Sequence, residues 1–493
     1  MILEDMKLLR EVLAGDRYRP AYHFVAPGEY LNDPNGTVFW RGRYHLFYQY
    51  APDWRSGDWN KHWAHAISSD LVHWEDLPIA LSPEPGTYDE KGIWSGTACN
   101  DGDRVWAIYH AHQSGNCLAS ASDDLLTDWT KHPANPVIPP DPAHVYDPCI
   151  WKDERGYHTL SGRISSASTG DGRDVLSFGH DLAYHWRSDD LTNWEDTGLF
   201  YEGGFDTEPG EDCAVPEFFP FGDRHMLLFA SHNRGGQYYI GRLEDDHFTP
   251  ETHGRLNFTR FGLARINTCG DLMAPLSWGD DQGRRIVIAW VPEGTTDERQ
   301  FSSGWAGIMS LPRVLSLDAA GQVHIAPVPQ LEALRGQPVT CGGMTVTPEA
   351  PVWLEGVESD RLELDLVLEP GSATTVGINV LCSPHNEEET TILFDREAQT
   401  LSLDPTRASL DVTMVGRAPQ VAPFALATGE ALRLRVFIDR SVVEVFANDR
   451  LCLTKRVYPS RPDSLGVQFF TTRGLAMALS ATAWEMQPVW PVD

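Results

Sequence analysis

Ser69-Asp70-Leu71-Val72-His73-Trp74 recurs as Asp123-Asp124-Leu125-Leu126-Thr127-Asp128-Trp129 and again as Asp189-Asp190-Leu191-Thr192-Asn193-Trp194. A fainter copy is Leu243-Glu244-Asp245-Asp246-His247-Phe248, and the closing aromatic residues lie 55, 65 and 54 positions apart. Each copy follows a short alternating run, such as His65-Ala66-Ile67 or Tyr184-His185-Trp186, and leads into another strand-like stretch. That period holds one four-stranded blade with its loops, so residues 20–315 have room for a five-bladed β-propeller. Helical periodicity is absent over this span, and a plain β-sandwich would not repeat at this length.

Outside the repeats the chain changes character at Leu311-Pro312-Arg313. Residues 316–339 read as a connector with a turn and short helix at Val328-Pro329-Gln330-Leu331-Glu332-Ala333-Leu334-Arg335. From 340 to 493 alternating runs continue without the Asp-Leu-Trp signature: Leu362 to Leu368, Leu432 to Ile438 and Val442 to Phe446. Spaced by Gly, Pro and Asn turns, they predict a C-terminal β-sandwich. Ahead of the propeller, Ile2, Leu3, Met6, Leu9 and Leu13 fall at helical spacing, so residues 1–19 read as a helical extension docked on the body. The fold class is therefore all-β.

The 493 residues carry 39 Lys and Arg against 70 Asp and Glu, a net charge of −31. Such a surface repels phosphate backbones and anionic lipid, which argues against nucleic-acid and membrane partners and suits a neutral substrate. Seventeen Trp, 15 Tyr and 20 Phe supply flat rings for sugar stacking or for packing a large β-protein. Charged residues interrupt the N-terminal apolar stretch, so neither a secretion signal nor a membrane span is expected. The eight cysteines show no paired spacing and read as reduced thiols, which places the chain in the cytoplasm.

Carboxylates are the informative group. Asp33, within Tyr30-Leu31-Asn32-Asp33-Pro34-Asn35-Gly36, is either a turn former or a positioned nucleophile. Asp147 has apolar flanks in Val145-Tyr146-Asp147-Pro148-Cys149-Ile150-Trp151; it is a turn aspartate before proline, or an acid whose protonation is tuned by buried neighbours. Glu211, Asp212 and Glu217 crowd into seven residues beside Cys213, Phe218 and Phe219, where burial and like charge raise a carboxyl pKa as a general acid requires. His62 with His65 and His110 with His112 have spacings a metal uses but no third ligand nearby, so no metal is expected.

Together these segments resemble glycoside hydrolase family 32, the β-fructofuranosidases, invertases, inulinases and levanases. The likeness runs from His23-Phe24 and Asn32-Asp33-Pro34-Asn35-Gly36 through Tyr44 to Gln49, His62 to Ala66, Asp70 to Trp74 and Trp94 to Ala98. It continues with Gly304-Trp305-Ala306-Gly307, Leu311-Pro312-Arg313 and the C-terminal stretch Phe437 to Asn448. The resemblance implies a five-bladed propeller followed by a sandwich, and a retaining hydrolase that releases fructose from β-fructofuranosides such as sucrose, fructo-oligosaccharides, inulin or levan. It assigns Asp33 as nucleophile, Asp147 as transition-state stabiliser and Glu211 as acid/base, with Asp212 and Glu217 as substitutes for Glu211. Asn32, Gln49, Trp94, Ser95 and Tyr146 take substrate-binding positions. No cofactor is implied. Fructosyl transfer and fructan binding without catalysis are the alternatives, and a homo-oligomer through the sandwich stays open.

The chain departs from the family pattern at four places. Tyr30 stands where the family has Trp, and Asp58 where a pocket Trp falls, with Trp59 one place on. Tyr146 replaces an Arg, so a guanidinium beside the acids is missing or supplied from elsewhere. Glu211 and Pro216 are separated by four residues where the family has a compact Glu-Cys-Pro.

Overall fold

The computed structural model describes residues 3–140, 145–164, 179–203, 206–259 and 271–490. Five sheets follow one another along the chain and form the blades. Their innermost strands are Glu29–Trp40, Ile93–Asn100, Val145–Asp153, Ala214–Phe221 and Met273–Gly279. These pack in ring order, the first against the fifth. Two six-stranded sheets after residue 334 form the sandwich around an aliphatic core that includes Leu364, Ile378, Leu403, Val436 and Val445.

The repeat that predicts the blades sits in the hairpin between the third and fourth strands. Asp70 Oδ1 accepts from the backbone N–H of Val72 (2.9 Å) and His73 (2.8 Å), and Asp190 does the same for Thr192 and Asn193. The leucine that follows is buried and held at positive φ, at Leu71 (70°), Leu126 (50°) and Leu191 (64°). The closing indole N–H then donates back to that leucine's carbonyl: Trp74 to Leu71 (3.1 Å), Trp129 to Leu126 (2.7 Å), Trp194 to Leu191 (3.2 Å). The carboxylate cap and the aromatic latch together offset the strain of a non-glycine residue in the left-handed region.

Blade five lacks this hairpin, so the sheet runs further than the repeat predicts. Arg313–Leu317 pairs with Val323–Pro327 around a turn capped by Asp318, taking the propeller past residue 315 to Pro327. The connector shrinks to the short helix Pro329–Leu334, and the first sandwich strand is Arg335–Val346 rather than starting at 340.

Two sequence motifs acquire structural roles. Trp305–Ala306 pairs in parallel with Glu29 and Tyr30, so the segment between the second and third strands of blade five closes the ring on blade one. Gly307 (φ 80°) makes this possible, because a Cβ there would lie 1.9 Å from the Leu31 carbonyl oxygen. The C-terminal stretch clamps the domains: Asp439, wholly buried, accepts from the N–H groups of Ala21, Tyr22 and His23 and from His23 Nδ1 at 2.7–2.9 Å. Glu444 pairs with Arg313 at 3.1 Å. The N-terminal helix Leu3–Leu13 buries Met6, and Arg10 ties it to Asp76.

Candidate active site

Every innermost strand is bulged near its N-terminal end, where the ladder to the second strand skips two residues. The skipped pairs are Asn32-Asp33, Trp94-Ser95, Asp147-Pro148, Val215-Pro216 and Ala274-Pro275. Bulges re-aim side chains that a regular pleat would bury within the sheet. Asp147 (φ 47°), Val215 (46°) and Ala274 (50°) share the left-handed conformation at this level. The first three blades thus deliver polar groups to one end of the axis, and the last two deliver apolar residues.

Asp33 is 9% exposed and its Oδ2 accepts from Ser95 Oγ at 2.5 Å, with Gln49 Nε2 at 3.4 Å. Gln49 also bonds Ser95, and its Oε1 accepts from Asn32 Nδ2 at 2.8 Å. Five of the expected residues therefore meet in this part of the site once Trp94, which leads Ser95, is included. Trp94 lies 37% exposed and stacked on His112 with 4.4 Å between ring centroids. Burial pushes the Asp33 carboxyl up, partly countered by the Ser95 and Asn32 hydrogen bonds. Asp147 is buried and pushed up to about 7 by burial and by the charge of Asp33.

On the far side, Tyr146 OH donates to Asp212 Oδ2 at 2.5 Å. Asp212 also accepts from His232 Nδ1 (2.7 Å) and from the His232 N–H (2.8 Å). Burial opposes its ionisation but His232 and Tyr146 outweigh it, holding the carboxyl below the usual range. His232 itself is pushed up to about 9: burial works against the imidazolium, and Asp212, Asp147 and Asp33 together overcome it. Asp212 thus holds His232 as an imidazolium by direct hydrogen bonding, and the charges of Asp147 and Asp33 favour it further.

Glu211 turns elsewhere. Its Oε1 accepts from Arg255 Nη2 (2.7 Å) and the Glu208 N–H (2.8 Å), and its Oε2 from Gln237 (2.9 Å) and Arg255 Nη1 (3.1 Å). Gln237 and Arg255 belong to the third and fourth strands of the same blade, so this carboxylate is spent bracing blade four. Glu217 bonds Ser277 of blade five (2.8 Å) and lies 3.8 Å from Arg285; burial pushes it up to about 7.

Sequence reasoning missed two cations. His232 follows the second strand of blade four with nothing local to mark it. Lys61 is 8% exposed, donates to Asn32 Oδ1 at 3.0 Å and lies 4.1 Å from the Tyr30 ring; burial lowers it to about 7, against the pull of Asp33. Among the described residues neither His62 with His65 nor His110 with His112 belongs to a metal-type cluster; that grouping falls on His158, His185 and Asp246. There the imidazoles bond one another (2.9 Å), and Asp246 is already paired with Arg155 and Arg187. The seven described cysteines are all free thiols.

The innermost strands of the five-bladed propeller thus bring buried carboxylates to one end of the axis, and the comparisons with known proteins place this fold among the glycosidases. The model of the glycosyl hydrolases family 32 N-terminal domain matches residues 23–327, and that of the family 32 C-terminal domain residues 330–485. The chain belongs to this family. It is 31% identical to a levanase of Bacillus subtilis, over 96% of this chain and 71% of that one. It is 28% identical to a sucrose-6-phosphate hydrolase of Zymomonas mobilis, over 96% and 93%. The fold is shared with fructan 1-exohydrolase IIa of Cichorium intybus at a TM-score of 0.82 and 24% identity, covering 96% of this chain and 98% of that one.

Proposed function

We propose that the protein hydrolyses terminal β-fructofuranosyl units from sucrose or fructo-oligosaccharides with retention of configuration, through a fructosyl-enzyme on Asp33. The observation that carries this reading is the buried Asp33 carboxylate held by Ser95 and Gln49 in the bulge of blade one, with the buried Asp147 in the matching bulge of blade three and Asp212 bonded to His232 in blade four. Retaining hydrolysis needs an ionised nucleophile, a second carboxylate beside the developing oxocarbenium charge, and a group that gives and then takes a proton. The Ser95 and Gln49 bonds both fall on Asp33 Oδ2, orienting the carboxylate for attack on the anomeric carbon. Asp147 holds sugar hydroxyls and stabilises the positive ring.

For the acid/base we place Asp212 ahead of Glu211. Glu211 is engaged by the Arg255 fork, Gln237 and the Glu208 N–H, whereas Asp212 is hydrogen-bonded to His232, whose imidazolium holds the proton the pair passes on. Leaving-group protonation draws the shared proton from this pair, and the incoming water returns it. The relatives named levanase, sucrose-6-phosphate hydrolase and fructan 6-exohydrolase all favour a fructoside substrate.

Incubating the purified protein separately with sucrose, inulin and levan and separating the products tests the reading. Free fructose is expected. A cyclic difructose or lengthened oligosaccharides with little fructose would move the reaction to fructosyl transfer, and no product from any of the three would leave a binding protein.

A further inference from the structure

Lys61 stands where a charged side chain is costly. It immediately precedes the third strand of blade one, and its carbonyl accepts from the Ile93 N–H of blade two (2.8 Å). The side chain is buried, with its ammonium over the Tyr30 and Trp59 rings at 4.1 and 5.5 Å. A buried ammonium is unfavourable unless its donors are used. Here it donates to an amide oxygen, Asn32 Oδ1, at 3.0 Å.

That bond sets the direction of every bond after it. An ammonium has donors and no acceptor, so it faces the oxygen of an amide and never the nitrogen. Asn32 must then turn Nδ2 the other way, toward Gln49 Oε1 at 2.8 Å. Gln49, its oxygen occupied, presents Nε2 to Ser95 Oγ and, at 3.4 Å, to Asp33 Oδ2. Ser95 accepts from Gln49 and donates its own proton to Asp33 Oδ2 at 2.5 Å. Either amide keeps its shape when turned end for end. Reversed, the chain of bonds would set Gln49 Oε1 against the Asp33 carboxylate, acceptor against acceptor. The cation at one end thus decides whether the acid at the other end meets donors.

We infer that Lys61 is a positioning residue for attack by Asp33: through Asn32 and Gln49 it fixes the polarity of an amide relay that keeps the nucleophile ionised and aimed. The inference rests on the fructosidase reading and gives this cation a role within it. Burial lowers Lys61 to about 7, so the relay is held in one direction below that pH and loosens above it. Asp33 is the ionisable group that faces Lys61, and Asp147 and His232 face Asp33 from blades three and four.

The test is the pH profile of fructose release from sucrose for the wild type, Lys61→Met, Asn32→Ala and the double variant, with circular dichroism to check folding. Lys61→Met keeps the length of the side chain and removes its donors. It should lower kcat by about tenfold and move the acid limb of kcat/KM up by about one pH unit, with KM changed less than about twofold. Lys61→Arg, again a donor without an acceptor, should keep the limb within about 0.3 pH units of the wild type. Asn32→Ala cuts the relay with the cation in place and should move the limb about as far as Lys61→Met. Because the two residues act in series, the double variant should move it little further. Additive shifts would mean that the charge acts through space and would overturn the relay, as would an unmoved limb in either single variant. A wild type that releases no fructose would instead sink the fructosidase reading, and urea unfolding would then decide the relay alone. Lys61→Met and Asp33→Asn should be coupled in the otherwise unchanged protein and uncoupled in an Asn32→Ala background, whereas additive losses in both end the inference.

Discussion

Blades one and three and blade four offer the same backbone device with opposite contents. All three bulge near the start of the innermost strand, but blades one and three place an aspartate in the bulge, whereas blade four places Val215-Pro216. Blade four supplies its acids from the segment just upstream, where adjacent residues part company: Asp212 turns toward Tyr146 and His232, Glu211 toward Arg255. A pseudo-symmetric scaffold thus fixes where side chains emerge, and the residue at each position decides whether a blade reacts or braces.

The largest expected effect breaks blade one. Asp33→Ala should lower fructose release by ~10⁴-fold or more with an unchanged circular dichroism spectrum, since it removes the proposed nucleophile. Wild-type-like turnover in this variant would remove the nucleophile from Asp33. The pair in blade four comes next. Asp212→Asn should cost ~10²–10⁴ in kcat. Glu211→Gln should cost far less in kcat but ~1–3 kcal/mol in stability, measured by urea unfolding, because the Arg255 charge loses its buried partner. The reverse pattern would make Glu211 the acid/base and Asp212 the brace.

Tyr146→Phe sharpens the comparison by removing one bond to Asp212. A drop of about tenfold in kcat is expected, with a displaced alkaline limb of the pH–rate profile, whereas a purely structural tyrosine would leave the limb in place. The smallest effect is on stability against pH. His232 is charged more readily folded than unfolded, so its contribution is complete below about pH 6.5 and is lost as pH rises toward about 9. With the side chain 30% exposed, solvent screening limits the loss to ~1–2 kcal/mol. Unfolding free energies at pH 6 and pH 9 should differ by that amount in the wild type and scarcely in His232→Gln.

The propeller was legible because its repeat is a local device: the Asp cap, the strained leucine and the aromatic latch all lie within seven residues. Blade five escaped that reading because its hairpin uses Asp318 and Gly321 instead, with no aromatic partner to betray the period. Asp33 and Asp147 could be singled out from their turn and strand contexts, and Asn32 and Gln49 meet through strands that pair locally, with Ser95 joining them from blade two. Choosing between Glu211 and Asp212 was beyond reach, because the choice depends on Arg255 and His232, 44 and 20 residues away, and on which way two adjacent side chains point. Lys61 and His232 left no trace in pattern or spacing, since each is defined by burial beside acids from other strands.

The most direct test of the account traps the intermediate. Asp212→Asn, incubated briefly with fructosyl fluoride, whose leaving group needs no acid, should accumulate enzyme heavier by one dehydrated hexose. Digestion and mass spectrometry should place that mass on the peptide containing Asp33. A label on a peptide carrying Asp147 or Glu211 instead, or rapid turnover of the fluoride by the Asp33→Ala variant, would contradict it.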